Sequence, residues 1–381
     1  MQPIVIIGSG LAGYTLAREI RKRDKDMSIT IITADNGAFY SKPNLSNALA
    51  LGKTPEQLAS ATSEKMATDL NVDIQTHRRV IALKRDQKVV VTDQGEVPYS
   101  KLVLALGADP FEHGLSGNGA AQVLSVNDLA DYTTFRTALS GNKRVVVLGG
   151  GLIGCEFAHD LSHAGYNVDV IHLGPWPLER LVPKEIGEAL ADALARRSVR
   201  WHFNRRAVAV EREPMDLRVM LDNGEEIRGD VVLSAIGLKP RTTLANEAGI
   251  ATKRGIVVDR QLLTGDRDIY AIGDCAEVEG HVLPFVQPLM QQARALAATL
   301  TGEPTHVSYP AMPVVVKTPS YPLAVLPPAP GIEGSWQVEC GTGGICALHQ
   351  GPSGALQGFA LSGNRAAERS KLAQQAPALL A

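Results

Sequence analysis

The stretch Ile4-Val5-Ile6-Ile7-Gly8-Ser9-Gly10-Leu11-Ala12-Gly13 decides the fold. Four apolar, β-branched residues make a strand covered on both faces, and Gly8-x-Gly10-x-x-Gly13 follows where a helix must begin. In this pattern the first glycine permits the tight turn. The second lets a pyrophosphate reach the backbone, and the third lets the helix lie close to the strand. The helix N-terminus then offers free N–H groups and a positive dipole end to the phosphates. A strand over Pro3–Ile7, a helix over Leu11–Asp24 and a strand over Ser28–Thr33 complete one βαβ unit. Asp35 follows that second strand, with Thr33 and Ala34 beside it, where a ribose hydroxyl needs an acceptor.

The same grammar returns 141 positions later, counted from Gly8 to Gly149. A strand over Lys143–Leu148 runs into Gly149-Gly150-Gly151-Leu152-Ile153-Gly154, then a helix over Cys155–Ala164 and a strand over Val168–Leu173. Each fingerprint implies its own dinucleotide, with Gly149, Gly151 and Gly154 as ligand positions in the second. Its second strand ends at Ile171-His172-Leu173. NAD sites usually place an acid at this tip and NADP sites place basic residues. His172 fits neither pattern, so residue chemistry leaves the choice between NADH and NADPH open. Glu156 lies two positions past the third glycine. It either faces the cleft at the nicotinamide end or stays solvated as an acid complementing a helix N-terminus.

A chain of 381 residues suggests two or three domains. It is 45% hydrophobic and 20% charged, which suffices for a core, and its net charge of −2 argues against nucleic acid or an anionic membrane as partner. No apolar run approaches the roughly 18 residues that span a bilayer. The N-terminus enters a strand with no basic leader, so no signal peptide is expected. The four cysteines show no CxxC and no metal-ligand spacing, which fits no metal site and a reducing, cytoplasmic compartment. Cys340 and Cys346 alone are near neighbours, and read as two plain thiols or a regulatory disulfide. Alternating strand and helix periods give an α/β fold with two Rossmann-like domains. The first is discontinuous over 1–108 and 240–312, and the second spans 109–239. After Pro310 prolines break the pattern, and short runs at Pro313–Lys317, Trp336–Glu339 and Leu356–Leu361 suggest a small C-terminal α+β domain over 313–381, with mostly antiparallel strands.

Thr264-Gly265-Asp266-Arg267-Asp268-Ile269-Tyr270-Ala271-Ile272-Gly273-Asp274 looks like the second FAD motif of the glutathione reductase structural class, the FAD-dependent pyridine nucleotide–disulfide oxidoreductases. Leu104–Pro110 and Ala235–Pro240 resemble that class's two domain crossovers. Three stretches resemble the rubredoxin reductases within the class: Tyr40–Ser46, Gly151–Phe157 and Pro313–Pro319. The resemblance implies FAD on the first fold and NADH, rather than NADPH, on the second. It implies hydride transfer from NADH to FAD, then single electrons to rubredoxin, a small acidic iron protein, for instance in an alkane hydroxylase system. By the same resemblance Asp274 meets the ribityl chain, and a buried polyol does need acceptors. Lys42, Glu156 and Lys317 line the flavin pocket as the catalytic candidates, Val80 meets the adenine through its backbone, and Val286 meets the flavin ring. The helix Leu289–Leu300, opened by Pro284-Phe285-Val286-Gln287-Pro288, would aim its positive end at the flavin N1–C2=O edge. The short C-terminal portion favours a monomer.

Three rival readings share parts of this pattern. A disulfide reductase needs a C-x4-C pair after the first βαβ unit, and Lys42–Ser46 holds no cysteine; Ser46 stands near where peroxidases and oxidases of the class keep one. A ferredoxin reductase of an oxygenase system would share every motif. A redox-sensing dinucleotide-binding protein, similar to apoptosis-inducing factor, would oxidise NADH slowly with no stimulation by an iron protein. The six arginines of Arg196–Arg212 read either as a dock for an acidic partner or as a solvated face.

Overall fold

The structure is a computed structural model and describes residues 2–381. Two parallel five-stranded sheets carry the two glycine turns. In the first, Ile4–Ile7 lies between Lys101–Leu104 and Ile29–Ile32, with Ile269–Ala271 and Asp73–Gln75 at the edges. In the second, Arg144–Leu148 lies between Asn167–His172 and Val231–Ser234, flanked by Val199–Phe203 and Leu124–Ser125. Both central strands are buried along almost their whole length, which is why they read as unbroken apolar runs; in the second, Val145 and Val147 pack with the helix residues Phe157 and Leu161, and Val146 and Leu148 with Val210, Val219 and Leu221 on the other face. The repeat extends further than the glycine turns. Each sheet is interrupted by a three-stranded antiparallel meander, Val80–Lys84 to Gly95–Pro98 in the first and Ala207–Arg212 to Glu226–Gly229 in the second.

The helices depart from the sequence reading by a turn or less. The first runs Leu11–Arg23, and the second starts at Leu152 rather than Cys155 and ends at His163. Gly10 and Gly151 are the respective N-caps, neither with a side-chain cap. The two crossovers pair as short antiparallel strands, Ala108–Pro110 with Leu238–Pro240. Arg241 clamps them: its guanidinium donates to Asp109 at 2.7 Å and to the Leu106 carbonyl at 3.1 Å.

The C-terminal sheet is antiparallel and five-stranded, in the order Val314–Val316, Leu323–Leu326, Leu356–Ser362, Gly344–Gln350, Ser335–Gly341. The sequence reading marked three of these and missed Leu323–Leu326 and Gly344–Gln350. Its register answers the cysteine question. Cys340 pairs with Ile345, so Cys346 points to the opposite face; Cys340 is exposed, Cys346 is buried, and all four cysteines are free thiols.

The C-terminal sheet shares a core with the second Rossmann fold. Val316, Leu323, Val325, Ala347 and Ala360 join Cys155, Phe157 and Leu161 of the second helix in one buried cluster. Each larger aliphatic chain buried there contributes roughly 2 kcal/mol. The same contact buries His159 to 2% exposure. Its Nε2 accepts the Ser320 N–H at 3.3 Å, and its Nδ1 has no partner. Burial, aided by the positive charges of Arg197 and His163, pushes its pKa down from 6.5 to about 4. The unfolded chain therefore binds this proton more tightly. The contribution is whole above pH 6.5 and is lost as pH falls toward 4, by roughly 3 kcal/mol in all. Urea unfolding midpoints measured between those pH values should fall in the native protein and flatten in His159→Phe; equal slopes would discard this assignment.

Candidate functional site

At the first turn, glycine is required by conformation and by contact. Gly8 has φ +116°, and a Cβ there would stand 2.3 Å from the Ala105 carbonyl oxygen; a Cβ on Gly13 would stand 2.0 Å from the Gly8 oxygen. Gly10 has nothing within 4 Å of that position. The turn is thus closed against strand and helix and open on the side where the uncapped helix N-terminus points. The second turn repeats this. Gly149 has φ +104° with the Ala235 oxygen at 2.6 Å, Gly154 meets the Gly149 oxygen at 1.9 Å, and Gly151 again faces open space. Two open cradles of N–H groups at helix N-termini fit two pyrophosphates.

Beside the first turn, Ser9, Thr33 and Asp35 converge. Ser9 Oγ donates to Thr33 Oγ1 at 2.9 Å, Thr33 Oγ1 donates to Asp35 Oδ1 at 2.7 Å, and the Gly37 N–H donates to the same oxygen at 2.9 Å. One carboxylate oxygen is spent on holding the loop, and Asp35 remains exposed at the strand tip beside exposed Ala34. His77 and Arg78 run along this loop, their N–H groups donating to the Asp35 and Thr33 carbonyls, so Val80 follows at the same end of the sheet.

Asp274 sits at the other end of the turn. Gly273 packs so tightly on Ala12 that a Cβ would stand 2.9 Å from the alanine Cβ. The Gly273 N–H donates to Gln292 Oε1 at 2.6 Å, and Gln292 donates in turn to the Tyr309 hydroxyl at 2.8 Å, which fixes the strand end against the helix Val286–Leu300. Burial raises the Asp274 carboxyl above its usual range, and the Lys42 ammonium draws it partly back. Burial likewise lowers Lys42, while Asp274 opposes that shift. Lys42 Nζ donates to Asn127 Oδ1 at 2.6 Å, and Asn127 Nδ2 donates to the Ala108 carbonyl at 2.9 Å. Lys42 is therefore a half-buried, anchored cation. Val286 opens its helix with no side-chain cap and is 40% exposed.

Between the two turns lies the tightest cluster. Glu156 is 3% exposed and forms an ion pair with Lys317 Nζ. It accepts the Lys317 N–H at 3.0 Å and the Ser46 hydroxyl at 2.6 Å. The solvated alternative for Glu156 is thereby set aside, and the half-buried Lys317 has Glu156 as its counter-ion. One turn along the same helix, fully buried Asp160 accepts the N–H groups of Leu49 at 3.1 Å and Ala50 at 2.7 Å. The segment Tyr40–Ala50 is thus fastened to the second fold by two carboxylates. The thiols of Cys155 and Cys275 are fully buried, and burial raises both, Cys275 to about 11, so neither is an available nucleophile.

The arginine-rich stretch divides. Arg200 and Arg205 lie near Asp169 and Glu225, at 3.6 and 4.0 Å, while Arg196 and Arg197 border a cleft with Ser320 and Tyr321. Among the described residues no group of three or more metal-ligating side chains occurs, and no helix is long and apolar enough to cross a membrane.

Sequence reasoning missed Asn127, Asp160 and the role of Ser46. In the sequence Ser46 stands only as the residue in place of a thiol, and nothing local marks the other two.

Residues 2–298 match the family described as pyridine nucleotide-disulphide oxidoreductase, and residues 306–376 match the rubredoxin binding C-terminal domain. The chain is 49% identical to a rubredoxin-NAD(+) reductase of Alcanivorax borkumensis over 100% of both chains. It is 46% identical to one of Acinetobacter baylyi over 100% of this chain and 99% of that one. Among solved structures it superposes on the ferredoxin reductase for the CYP199A2 system of Rhodopseudomonas palustris with a TM-score of 0.90 and 28% identity, covering 99% of this chain and 96% of that one. Two glycine cradles on paired Rossmann sheets, the shared crossovers and these likenesses together place the chain in the pyridine nucleotide-disulphide oxidoreductase family.

Proposed function

We propose that the chain is an FAD-dependent NADH:rubredoxin reductase, an oxidoreductase that holds FAD on the first turn and takes NADH on the second. When bound there, FAD would supply the means to take hydride from the nicotinamide and to give up electrons one at a time. Gly8, Ser9, Gly10, Leu11, Ala12 and Gly13 would hold its pyrophosphate, Thr33, Ala34 and Asp35 its ribose, and the Val80 backbone its adenine. Asp274 would accept from the ribityl hydroxyls, and Val286 with the helix dipole behind it would support the electron-rich edge of the ring. Gly149, Gly151 and Gly154 would hold the pyrophosphate of NADH. Lys42 and Lys317 would supply positive charge at the flavin. Glu156 fixes Lys317 and, through Ser46, the loop that carries Lys42. No side chain needs to move a proton between donor and acceptor.

One observation carries this reading. Lys317 belongs to the segment that matches a rubredoxin-binding domain, and it is ion-paired to Glu156, two residues past the second glycine turn. The acceptor-side domain and the nucleotide cradle therefore meet at one contact. The chain's near relatives are named rubredoxin reductases, and that supports rubredoxin as acceptor over ferredoxin. The division into 1–108 with 240–312, 109–239 and 313–381, a cytoplasmic place and a monomeric state complete the proposal. Steady-state assays of rubredoxin and ferredoxin, each with NADH and NADPH, test it. NADH with rubredoxin should be fastest, and equal rates with all four pairs would overturn the acceptor.

A further inference from the structure

The second fold lacks an acid at the tip of its second strand, yet its ligand still carries ribose hydroxyls that need an acceptor. We propose that Glu179, positioned by His172, is that acceptor and sets the preference for NADH over NADPH. The inference rests on the reading that this fold takes the pyridine nucleotide.

The first fold supplies the comparison. There the middle residue of Gly-x-Gly, Ser9, is tied to the acid at the strand tip: Ser9 Oγ lies 3.3 Å from Asp35 Oδ1. In the second fold the middle residue is Gly150. Its N–H donates to His172 Nδ1 at 3.1 Å, so the imidazole stands where a carboxylate usually does. With Nδ1 accepting, the ring hydrogen is on Nε2, 2.8 Å from Glu179 Oε2 and 3.1 Å from the Trp176 carbonyl. The acid is displaced by seven residues and brought back through one ring.

The chain is shaped to return it. After His172 the loop turns over the glycine cradle, and the Leu178 N–H donates to the Gly150 carbonyl at 3.0 Å. Gly174 leaves room for the carboxylate, since a Cβ there would stand 2.7 Å from Glu179 Cδ. Gly150 leaves room for the ring, since a Cβ there would stand 2.8 Å from His172 Cγ. His172 is buried, with 8% of its side chain exposed, whereas the Glu179 side chain keeps 24% exposure and remains reachable by a ligand. A 2′-phosphate placed beside this carboxylate would meet like charge, and the unmodified ribose would meet an acceptor. Arg180 competes with it, its Nε lying 3.7 Å from Glu179 Oε1 on a side chain 90% exposed.

Calorimetric titration of the flavin-loaded protein with ADP-ribose and with 2′-phospho-ADP-ribose tests this without turnover. The native protein should prefer ADP-ribose. Glu179→Gln should weaken ADP-ribose about tenfold, the loss expected for a hydrogen bond to a charged group, and should tighten the 2′-phosphate form. His172→Leu should weaken ADP-ribose similarly, and H172D in the E179Q background should restore it by placing an acid at the tip. With NADH and ferricyanide the loss should fall on KM rather than kcat. An unchanged ratio of the two ligands in E179Q, or a native protein that prefers the 2′-phosphate, would overturn the proposal and assign the site to Arg180. Failure of the wider functional reading is distinguishable, because it would show as native protein that binds neither ligand or leaves rubredoxin oxidised.

Discussion

Gly149→Ala should yield protein that keeps FAD but has all but lost its response to NADH, whereas Gly8→Ala should yield protein that does not retain FAD. Two costs add at each position. The backbone lies at φ +104° and +116°, where a side chain is strained by about 1–2 kcal/mol. The new methyl would also stand 2.6 Å from the Ala235 oxygen and 2.3 Å from the Ala105 oxygen. Both oxygens belong to the backbone of the neighbouring strand, so no rotamer change relieves the overlap, and forcing an extra methyl into a packed place adds about 1–3 kcal/mol. The turn can relax only by drawing the helix N-terminus away from the strand, and that geometry is what presents N–H groups to the pyrophosphate. The combined strain corresponds to a loss of affinity of about a hundredfold. Flavin absorbance after gel filtration and the KM for NADH separate the two variants. A yellow Gly8→Ala protein, or a Gly149→Ala protein with ordinary KM, would show that the two turns do not hold the two nucleotides as assigned.

These turns were legible in the sequence because the constraint is local. A strand, a positive-φ glycine and a helix start lie within ten residues, and the same steric argument applies twice. The tip acid Asp35 was legible for the same reason, whereas the strand that delivers Asp274 was legible through the resemblance of Thr264–Asp274 to the class's second FAD motif. The flavin-side cluster was not. Glu156 and Lys317 are 161 positions apart, and Lys42 meets Asn127 across 85, so their pairing depends on how three sheets dock. A resemblance suggested which residues gather there, but only the fold gives the partners. The missed strand Gly344–Gln350 failed for another reason. It lies inside the sheet, between Leu356–Ser362 and the edge strand Ser335–Gly341, yet carries Cys346, His349 and Gln350, so its composition does not advertise a strand. His172 looked like a defect in a nucleotide site because the residue that completes it lies seven positions on, beyond a loop whose course no periodicity describes.

Lys317→Met should cost more stability than Glu156→Gln, although both delete the same ion pair. The two partners differ in their access to water: the Glu156 side chain is 4% exposed and the Lys317 side chain 27%. Removing the lysine leaves a carboxylate buried with only the Ser46 hydroxyl and the residue 317 N–H to satisfy it, and an uncompensated buried charge of this kind costs about 3–5 kcal/mol. Removing the carboxylate's charge leaves an ammonium that can turn toward solvent, while the amide oxygen still accepts the residue 317 N–H and the amide NH2 can donate to Ser46 Oγ, so the cost should stay near 1–2 kcal/mol. In the double variant the buried charge is gone with its partner, and much of the Lys317→Met loss should return. That non-additivity is the signature of direct coupling. The functional loss should follow a different order. Each single variant and the double should slow flavin reduction by NADH in rapid mixing, because each removes the Lys317–Glu156 ion pair at the point where the C-terminal sheet meets the second glycine turn. If Lys317→Met were as stable as the native protein and reduced its flavin at the native rate, the pair would be a surface accident of the two domains, and the point where the acceptor domain meets the nucleotide cradle would have to be sought elsewhere.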